Sequence, residues 1–242
     1  MITKPYRQDL AYLHNVGFGL FAERSAPGLL RLLRRVGISS GLVVDLGCGG
    51  GLWARHLVDA GYDVLGIDLS SDMIALARRR APEATFRTGS FLDAALPRCA
   101  VVTALGECLN YIFDQRNRCV TLRGLFSRIY DALSPGGLFI FDIAEPRITQ
   151  TANRRFWTGP DWACLTEYQH DRRRNLLTRR MITFRKVGRH YRRDEETHVQ
   201  RLYDGTQLAD DLRRLGFHVR ILKGYGRFRL PQGRVALHAQ KP

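Results

Sequence analysis

Residues 43–51 read Val43-Val44-Asp45-Leu46-Gly47-Cys48-Gly49-Gly50-Gly51, and the way this stretch ends decides the fold. A short apolar run carrying one carboxylate passes directly into glycine, the pattern of a strand handing over to a helix. Glycines at 47, 49 and 51 let the backbone turn sharply and let a ligand approach with no side chain in the way. Working outward, apolar bursts recur at Leu42–Leu46, Val64–Ile67, Ala84–Arg87, Ala100–Leu105 and Leu138–Ile143. Helical patterns fill the gaps at Leu52–Ala60, Asp72–Arg80 and Asn117–Leu133, the last with Leu122, Leu125, Phe126, Ile129 and Leu133 at helical spacing. Ser134-Pro135-Gly136-Gly137 stops that helix. Short strands apolar on both faces, alternating with helices, predict a doubly wound, mostly parallel sheet.

The flanks read differently. Leu10–Phe21 and Pro27–Val36 suggest two helices divided by a Ser25-Ala26-Pro27-Gly28 turn, packed on the sheet or over its ligand edge. From Asp161 to Tyr203 the alternation becomes polar and apolar, with strands at Trp162–His170, Leu176–Lys186 and Tyr191–Tyr203 and turns at Asp171–Asn175 and Val187–Arg189. This is an antiparallel meander inserted after the fifth strand. A helix follows with Leu208, Leu212 and Leu215 on one face, Thr206 as its N-cap and Gly216 as its stop; Phe217–Lys223 and Arg234–Ala239 then close as a hairpin. The expected fold is α/β: a seven-stranded, mostly parallel sheet with helices on both faces and an inserted antiparallel cap. It divides into a helical lid at 1–39, a core at 40–146, the insertion at 147–204 and the closing helix and hairpin at 205–242, all in one domain.

A chain of 242 residues, 45% apolar and 25% charged, suits one core with an embellishment. No run approaches the roughly 18 apolar residues that span a bilayer, so no membrane association is expected. Leu10 to Ala22 is the nearest approach to a signal-peptide core, but it holds His14, Asn15 and two glycines, follows Asp9 and has no small-x-small cleavage site, so secretion is rejected. The five cysteines form no CxxC pair and no metal-ligand spacing, which fits a reducing, cytoplasmic setting. The net charge of +15 invites a nucleic-acid reading, although an excess of 34 Arg over 4 Lys also follows from GC-rich codon usage. Between Arg147 and Arg201 stand 14 Arg or Lys against 6 Asp or Glu, so the surplus concentrates in the insertion, where an acidic small molecule or RNA would suit it.

The 43–51 stretch resembles motif I of the class I S-adenosylmethionine-dependent methyltransferases, an acidic residue followed by G-x-G-x-G. A dinucleotide loop competes, because Gly49, Gly51 and Ala54 also fit G-x-G-x-x-A. A pyrophosphate wants a helix N-terminus free of carboxylates, whereas S-adenosylmethionine, with its ammonium and sulfonium, tolerates Asp45. Asp68 stands 17 residues after Gly51 at the expected end of the second strand, where a carboxylate accepts both ribose hydroxyls. Its competing role as a helix cap is already covered by Ser70, Ser71 and Asp72. After the third strand the family commonly carries an aspartate toward the adenine amino group; this chain has Ser90, followed by Phe91. The resemblance covers about residues 40–145 and implies cofactor contacts from Tyr6, Asp45, Gly47, Cys48, Gly49, Gly51, Asp68, Leu69, Met73, Ser90, Phe91, Leu105 and Gly106.

Methyl transfer is an in-line displacement on an activated carbon, so the protein must align the groups, exclude water and accept a proton where needed. Glu107, after the fourth strand, is the first candidate for base or orienting acceptor, with His14 and His198 beside it as catalytic candidates; Tyr111 and Arg201 are expected at the substrate. The fourth strand runs into Leu105-Gly106-Glu107-Cys108, unlike the [DNS]-P-P-[FYW] of amino-methylating nucleic-acid enzymes, and the arginine runs have few interleaved aromatics. A small molecule, acidic on the charge argument, is the favoured acceptor class. RNA or protein methylation and a non-catalytic cofactor-binding module are the alternatives, and the oligomeric state is open.

Overall fold

A computed structural model of the chain describes residues 5–116, 119–148 and 153–242. Seven strands form one sheet in the order β10-β13-β5-β4-β1-β2-β3. Five of them are β1 (Leu42–Leu46), β2 (Asp63–Asp68), β3 (Thr85–Thr88), β4 (Cys99–Ala104) and β5 (Leu133–Ala144), all parallel; β13 (Arg234–Gln240) runs antiparallel to β5 and to β10 (His218–Leu222). Alternation along the strands sends side chains to two separate cores. Val44, Leu46, Val102, Ala104, Phe139 and Phe141 meet α5 (Cys119–Ala132) and α6 (Gly205–Arg214) on one face. Val43, Val64, Val101, Leu138 and Ile140 meet α2 (Leu20–Arg35), α3 (Leu52–Asp59) and α4 (Ser71–Arg80) on the other. The two-sided burial inferred from the apolar bursts is therefore what the sheet uses.

The N-terminal helices divide elsewhere than expected. α1 (Gln8–Gly17) ends before Phe18-Gly19, and α2 continues through Pro27. The proline leaves the Glu23 carbonyl without its helical donor, but tertiary packing outweighs that loss: Ala26, Leu29 and Leu33 are buried against the core. Gly28 lies so close to a small hairpin that a Cβ there would sit 2.2 Å from the Tyr225 carbonyl oxygen. That hairpin, β11 (Gly224–Tyr225) and β12 (Phe228–Arg229), was not anticipated. The Ser134-Pro135-Gly136-Gly137 segment ends α5 at Ala132 but is itself part of β5, whose Leu133 pairs with Cys99 across an irregularity in register. Asp204, not Thr206, caps α6, its Oδ1 accepting from Thr206 N and Gln207 N at 2.8 and 3.1 Å. The expected helix start at Asn117, the Cys119 side chain and lid residues 1–4 lie outside the described residues.

The insertion is a four-stranded antiparallel sheet in the order β6-β7-β8-β9: β6 (Arg154–Thr158), β7 (Trp162–Asp171), β8 (Leu176–Val187) and β9 (His190–Arg201). Three of these were expected; β6 is short, edge-placed and mostly exposed, so it carries no clear alternation. Asn110, in the 3-10 turn Cys108–Asn110, locks this cap to the core. Its amide nitrogen donates to the carbonyls of Ala144 (2.9 Å) and Arg201 (2.6 Å), and its oxygen accepts from Ala144 N.

Gly28→Ala is expected to destabilise the protein by about 1–3 kcal/mol, the range for forced overpacking, read as a lower urea midpoint at unchanged slope. A wild-type midpoint would mean that the hairpin yields freely and does not hold α2.

Candidate active site

The turn after β1 is built by close approach as much as by flexibility. Gly47 (φ +69°) and Gly51 (φ +75°) are both left-handed, and a Cβ would lie 2.7 Å from Cys108 Cβ at the first and 2.9 Å from Ala77 at the second. Gly49 N–H donates to Asp68 Oδ2 at 2.9 Å, while Asp68 Oδ1 accepts from Ser70 N at 2.8 Å. Capping of α4 falls to Ser70, whose hydroxyl accepts from Met73 N. Asp45 is buried and accepts from Thr103 Oγ1 at 2.7 Å; Trp53 Nε1 donates to the same hydroxyl. Burial pushes the Asp45 carboxyl up to about 7, with the Asp68 charge adding to the rise and the Thr103 hydrogen bond opposing it. Burial also raises Asp68, against the backbone N–H groups of Ser70, Gly49 and Leu69.

A cavity of about 650 Å³ opens from this turn toward the cap. Tyr6, His14, Asp45, Gly47, Cys48, Gly49, Asp68, Leu69, Met73, Ser90, Phe91, Leu105, Gly106, Glu107 and Tyr111 all line it. Three candidates do not. Gly51 packs against α4 instead. Arg201 contributes its carbonyl to Asn110. His198 is buried behind Tyr6 and Phe113, with ring centroids 4.8 and 4.7 Å away, and bonds Glu196 at 2.9 Å. His14 is on the wall, but burial and then the nearby His198 push it down to about 4, so it faces the cavity as a neutral ring.

Glu107 is the most constrained residue of the site. Gly106 and Glu107 are consecutive left-handed residues (φ +78° and +54°), and both their N–H groups donate to the Asp142 carboxylate at 2.9 Å. Tyr225 OH donates to the same group at 3.0 Å. Arg179 from β8 donates to Glu107 Oε1 at 2.7 Å and Gln200 Nε2 donates at 3.3 Å, while Arg234 lies against Oε2 as an ion pair without hydrogen-bond alignment. Burial alone would raise the Glu107 carboxyl, but Arg234 and Arg179 bring it below the usual range. This is a fixed anion holding two guanidinium groups, and a weak proton acceptor. Burial pushes Asp142 up to about 6, with its backbone donors and Arg234 opposing.

Arg179 also donates to Tyr111 OH at 3.0 Å, and Tyr111 OH lies 3.1 Å from Tyr6 OH. Sequence reasoning missed Arg179, Arg234, Asp142, Phe113, Tyr168 and Met181. The available signal was alternation: Cys164, Thr166 and Tyr168 on β7, and Arg179 and Met181 on β8, share the cavity face. Five other cap arginines pair inward or sideways: Arg185 and Arg192 with buried Asp9 of α1, Arg180 and Arg193 with Glu195, and Arg154 with Glu167. Arg172, Arg173 and Arg174 project from the β7–β8 turn and are exposed.

A doubly wound sheet with a glycine turn after β1 and a carboxylate ending β2 defines a nucleoside-binding α/β protein. Residues 43–137 match a family model described as a methyltransferase domain. A dTDP-3-amino-3,6-dideoxy-alpha-D-glucopyranose N,N-dimethyltransferase of Streptomyces fradiae is 34% identical over 114 residues, covering 46% of this chain and 45% of that protein. A dTDP-3-amino-3,4,6-trideoxy-alpha-D-glucopyranose N,N-dimethyltransferase of Streptomyces venezuelae is 24% identical over 226 residues, 89% of this chain and 90% of that one. Among solved structures, an S-adenosylmethionine-dependent methyltransferase from Clostridium acetobutylicum superposes with a TM-score of 0.81 at 18% identity, over 96% of this chain and 97% of that one. Residues 43–137 thus match a methyltransferase domain, and the fold is that of the class I S-adenosylmethionine-dependent methyltransferases. None of its described helices is long and apolar enough to cross a membrane.

Asp45 sets a pH dependence. Its folded-state value lies above its ordinary one, so its contribution to stability is present below about 4 and is lost as pH rises through about 7. A cationic ligand beside it reverses the preference and expels the proton. Calorimetry with S-adenosylhomocysteine at pH 7 in two buffers of different ionisation enthalpy should therefore give buffer-dependent heats that Asp45→Asn diminishes. Equal heats in both buffers would remove Asp45 from the ligand's surroundings.

Proposed function

We propose that this enzyme transfers a methyl group from S-adenosylmethionine to an amino nitrogen of a small molecule, a hydroxyl oxygen being the second choice. One observation carries the reading: a single cavity runs from the glycine turn and Asp68 to a polar chamber under the cap, lined by Tyr6, Tyr111, Tyr168 and Arg179. The relatives named for amino-sugar N-methylation favour nitrogen. When bound, the cofactor supplies an already activated methyl carbon on a positively charged sulfur. Two carboxylates with raised proton affinity, buried Asp45 and half-buried Asp68, suit a ligand carrying an ammonium and a sulfonium.

The chain's own residues align, enclose and orient. Asp68 and the backbone of residues 47–49 hold the nucleoside and amino-acid portions, with Leu69, Met73, Phe91 and Leu105 as apolar walls. Tyr6 and His14 from the lid, with the cap face of β7 and β8, exclude water from the reacting groups. The Tyr6 and Tyr111 hydroxyls, polarised by Arg179, orient the acceptor. Glu107 serves that arrangement through Arg179 rather than as the base. An acidic acceptor is part of the proposal, with Arg155, Arg179 and Arg234 on the chamber wall, and so is a cytoplasmic setting. The RNA reading draws less support, because Arg154, Arg180, Arg185, Arg192 and Arg193 of the cap are already paired with Asp9, Glu167 and Glu195.

Calorimetry with S-adenosylhomocysteine and NAD side by side tests the cofactor. Asp68→Ala should weaken S-adenosylhomocysteine binding by about 1.5–3 kcal/mol, as for a hydrogen bond to a charged group; unchanged affinity would remove the ribose assignment. Charge reversal at Arg172, Arg173 and Arg174 should leave cofactor affinity and turnover of an amino-sugar acceptor near wild type. A tight RNA complex that the triple variant destroys, with affinity falling about 10³-fold or more between 50 and 200 mM salt, would turn the assignment to nucleic acid.

A further inference from the structure

Ser90 stands where the family commonly carries an adenine-facing aspartate, and its surroundings compensate for the change. It lies just beyond β3, whose Thr88 pairs with Asp68 on β2. Ser90, Phe91 and Asp114 all line the cavity. Ser90 Oγ donates its only proton to Asp114 Oδ2 at 2.8 Å and accepts from Leu92 N at 3.2 Å.

Asp114 belongs to the loop after β4 and is 7% exposed. Arg116 grips it: the backbone N and Nε donate to Oδ1 at 3.0 and 2.9 Å, and the guanidinium terminus donates to Oδ2. Arg116 is itself braced on Asp93 at 2.8 and 2.6 Å. The Arg116 hydrogen bonds, working against burial, hold the Asp114 carboxyl down at about 2, so it is an anion at any working pH. A hydroxyl has one proton and two lone pairs. With the proton committed to Asp114 and one lone pair to Leu92, Ser90 offers a ligand one lone pair and no donor. Each Asp114 oxygen already receives two donors, so the carboxylate acts on a ligand only through the serine.

We propose that Ser90, its hydroxyl oriented by Asp114, accepts the exocyclic amino group of the cofactor's adenine, and that Asp114 is a positioning residue replacing the family's direct aspartate at one remove. This inference rests on the S-adenosylmethionine reading above. An acceptor-only serine matches an amino group and opposes a 6-oxo group, so the relay selects adenine over hypoxanthine. Two acceptors facing each other leave both unpaired in a buried site.

The experiment is calorimetry on the full chain with S-adenosylhomocysteine and its 6-oxo counterpart, S-inosylhomocysteine. Wild type should prefer the adenine compound. Asp114→Asn can turn its amide toward Ser90 and release the hydroxyl proton, so the preference should narrow at least tenfold, with the loss falling on S-adenosylhomocysteine. Ser90→Ala leaves the Asp114–Arg116 pairing in place and should narrow it as well, which keeps the test decisive where Asp114→Asn lowers the melting temperature. The double variant S90D/D114N, with a carboxylate facing the ligand directly, should regain the preference. Wild-type selectivity in both single variants, each with a cooperative melt, overturns the relay while leaving the cofactor reading intact. A wild-type chain that binds neither compound overturns the cofactor reading and the relay with it.

Discussion

Buried charge has to be neutralised where it lies, and in this protein the neutralisation crosses the seam between the sheet and the cap. Glu107 lies in the turn after β4, Asp142 on β5, Arg234 on β13 and Arg179 on the cap strand β8. Two carboxylates and two guanidinium groups thus share one buried cluster, linked by the Glu107 ion pairs and the N–H donation to Asp142. Removing one partner from such a cluster leaves an uncompensated charge, typically worth about 3–5 kcal/mol. The cap is consequently held in one position over the sheet edge, and the chamber beneath it has a defined shape. The left-handed conformation of Glu107, costly for a residue with a Cβ, is maintained by the same contacts.

The surplus of arginine takes on a structural meaning in this arrangement. Asp9 is buried on α1 between Arg185 and Arg192, and Arg7 pairs with Asp194 while its backbone N–H donates to Glu196. The lid is thereby clasped to the cap by charge, and Ser70 Oγ ties it to α4 through the Tyr6 carbonyl. Lid, cap and sheet edge meet around one cavity, and each contributes side chains to its wall. Part of the positive charge that accumulates along the chain is therefore, in three dimensions, matched by carboxylates at the junction of these segments. The end of the same cavity at the glycine turn has the opposite character: Asp45 is buried, Asp68 is half-buried, and both carboxyls have raised proton affinity.

The parts of this protein that were legible in its sequence are those governed by local rules. Two-sided apolar strands, helical spacing in α5, glycines that must be left-handed and a carboxylate closing β2 depend on neighbours a few residues away, and all lie close to where they were expected. The antiparallel character of the insertion was legible because a sheet with one covered face alternates. Alternation sorts Arg179 with Met181 and Arg180 with Ile182, but it leaves open which of the two faces of this polar, arginine-rich strand looks onto the site. Arg179 and Arg180 are adjacent, yet the first is sealed against Glu107 and the second lies half exposed beside Glu195. That difference follows from strand register against β7 and β9, a property of pairing across the sheet. In the same way, α2 runs through Pro27 because the core buries Ala26, Leu29 and Leu33, and Ser90 acquires a carboxylate from 24 residues further on. Short-range conformational preference is written into the chain, whereas the partners of buried charges and hydroxyls are decided only when distant segments exclude water together.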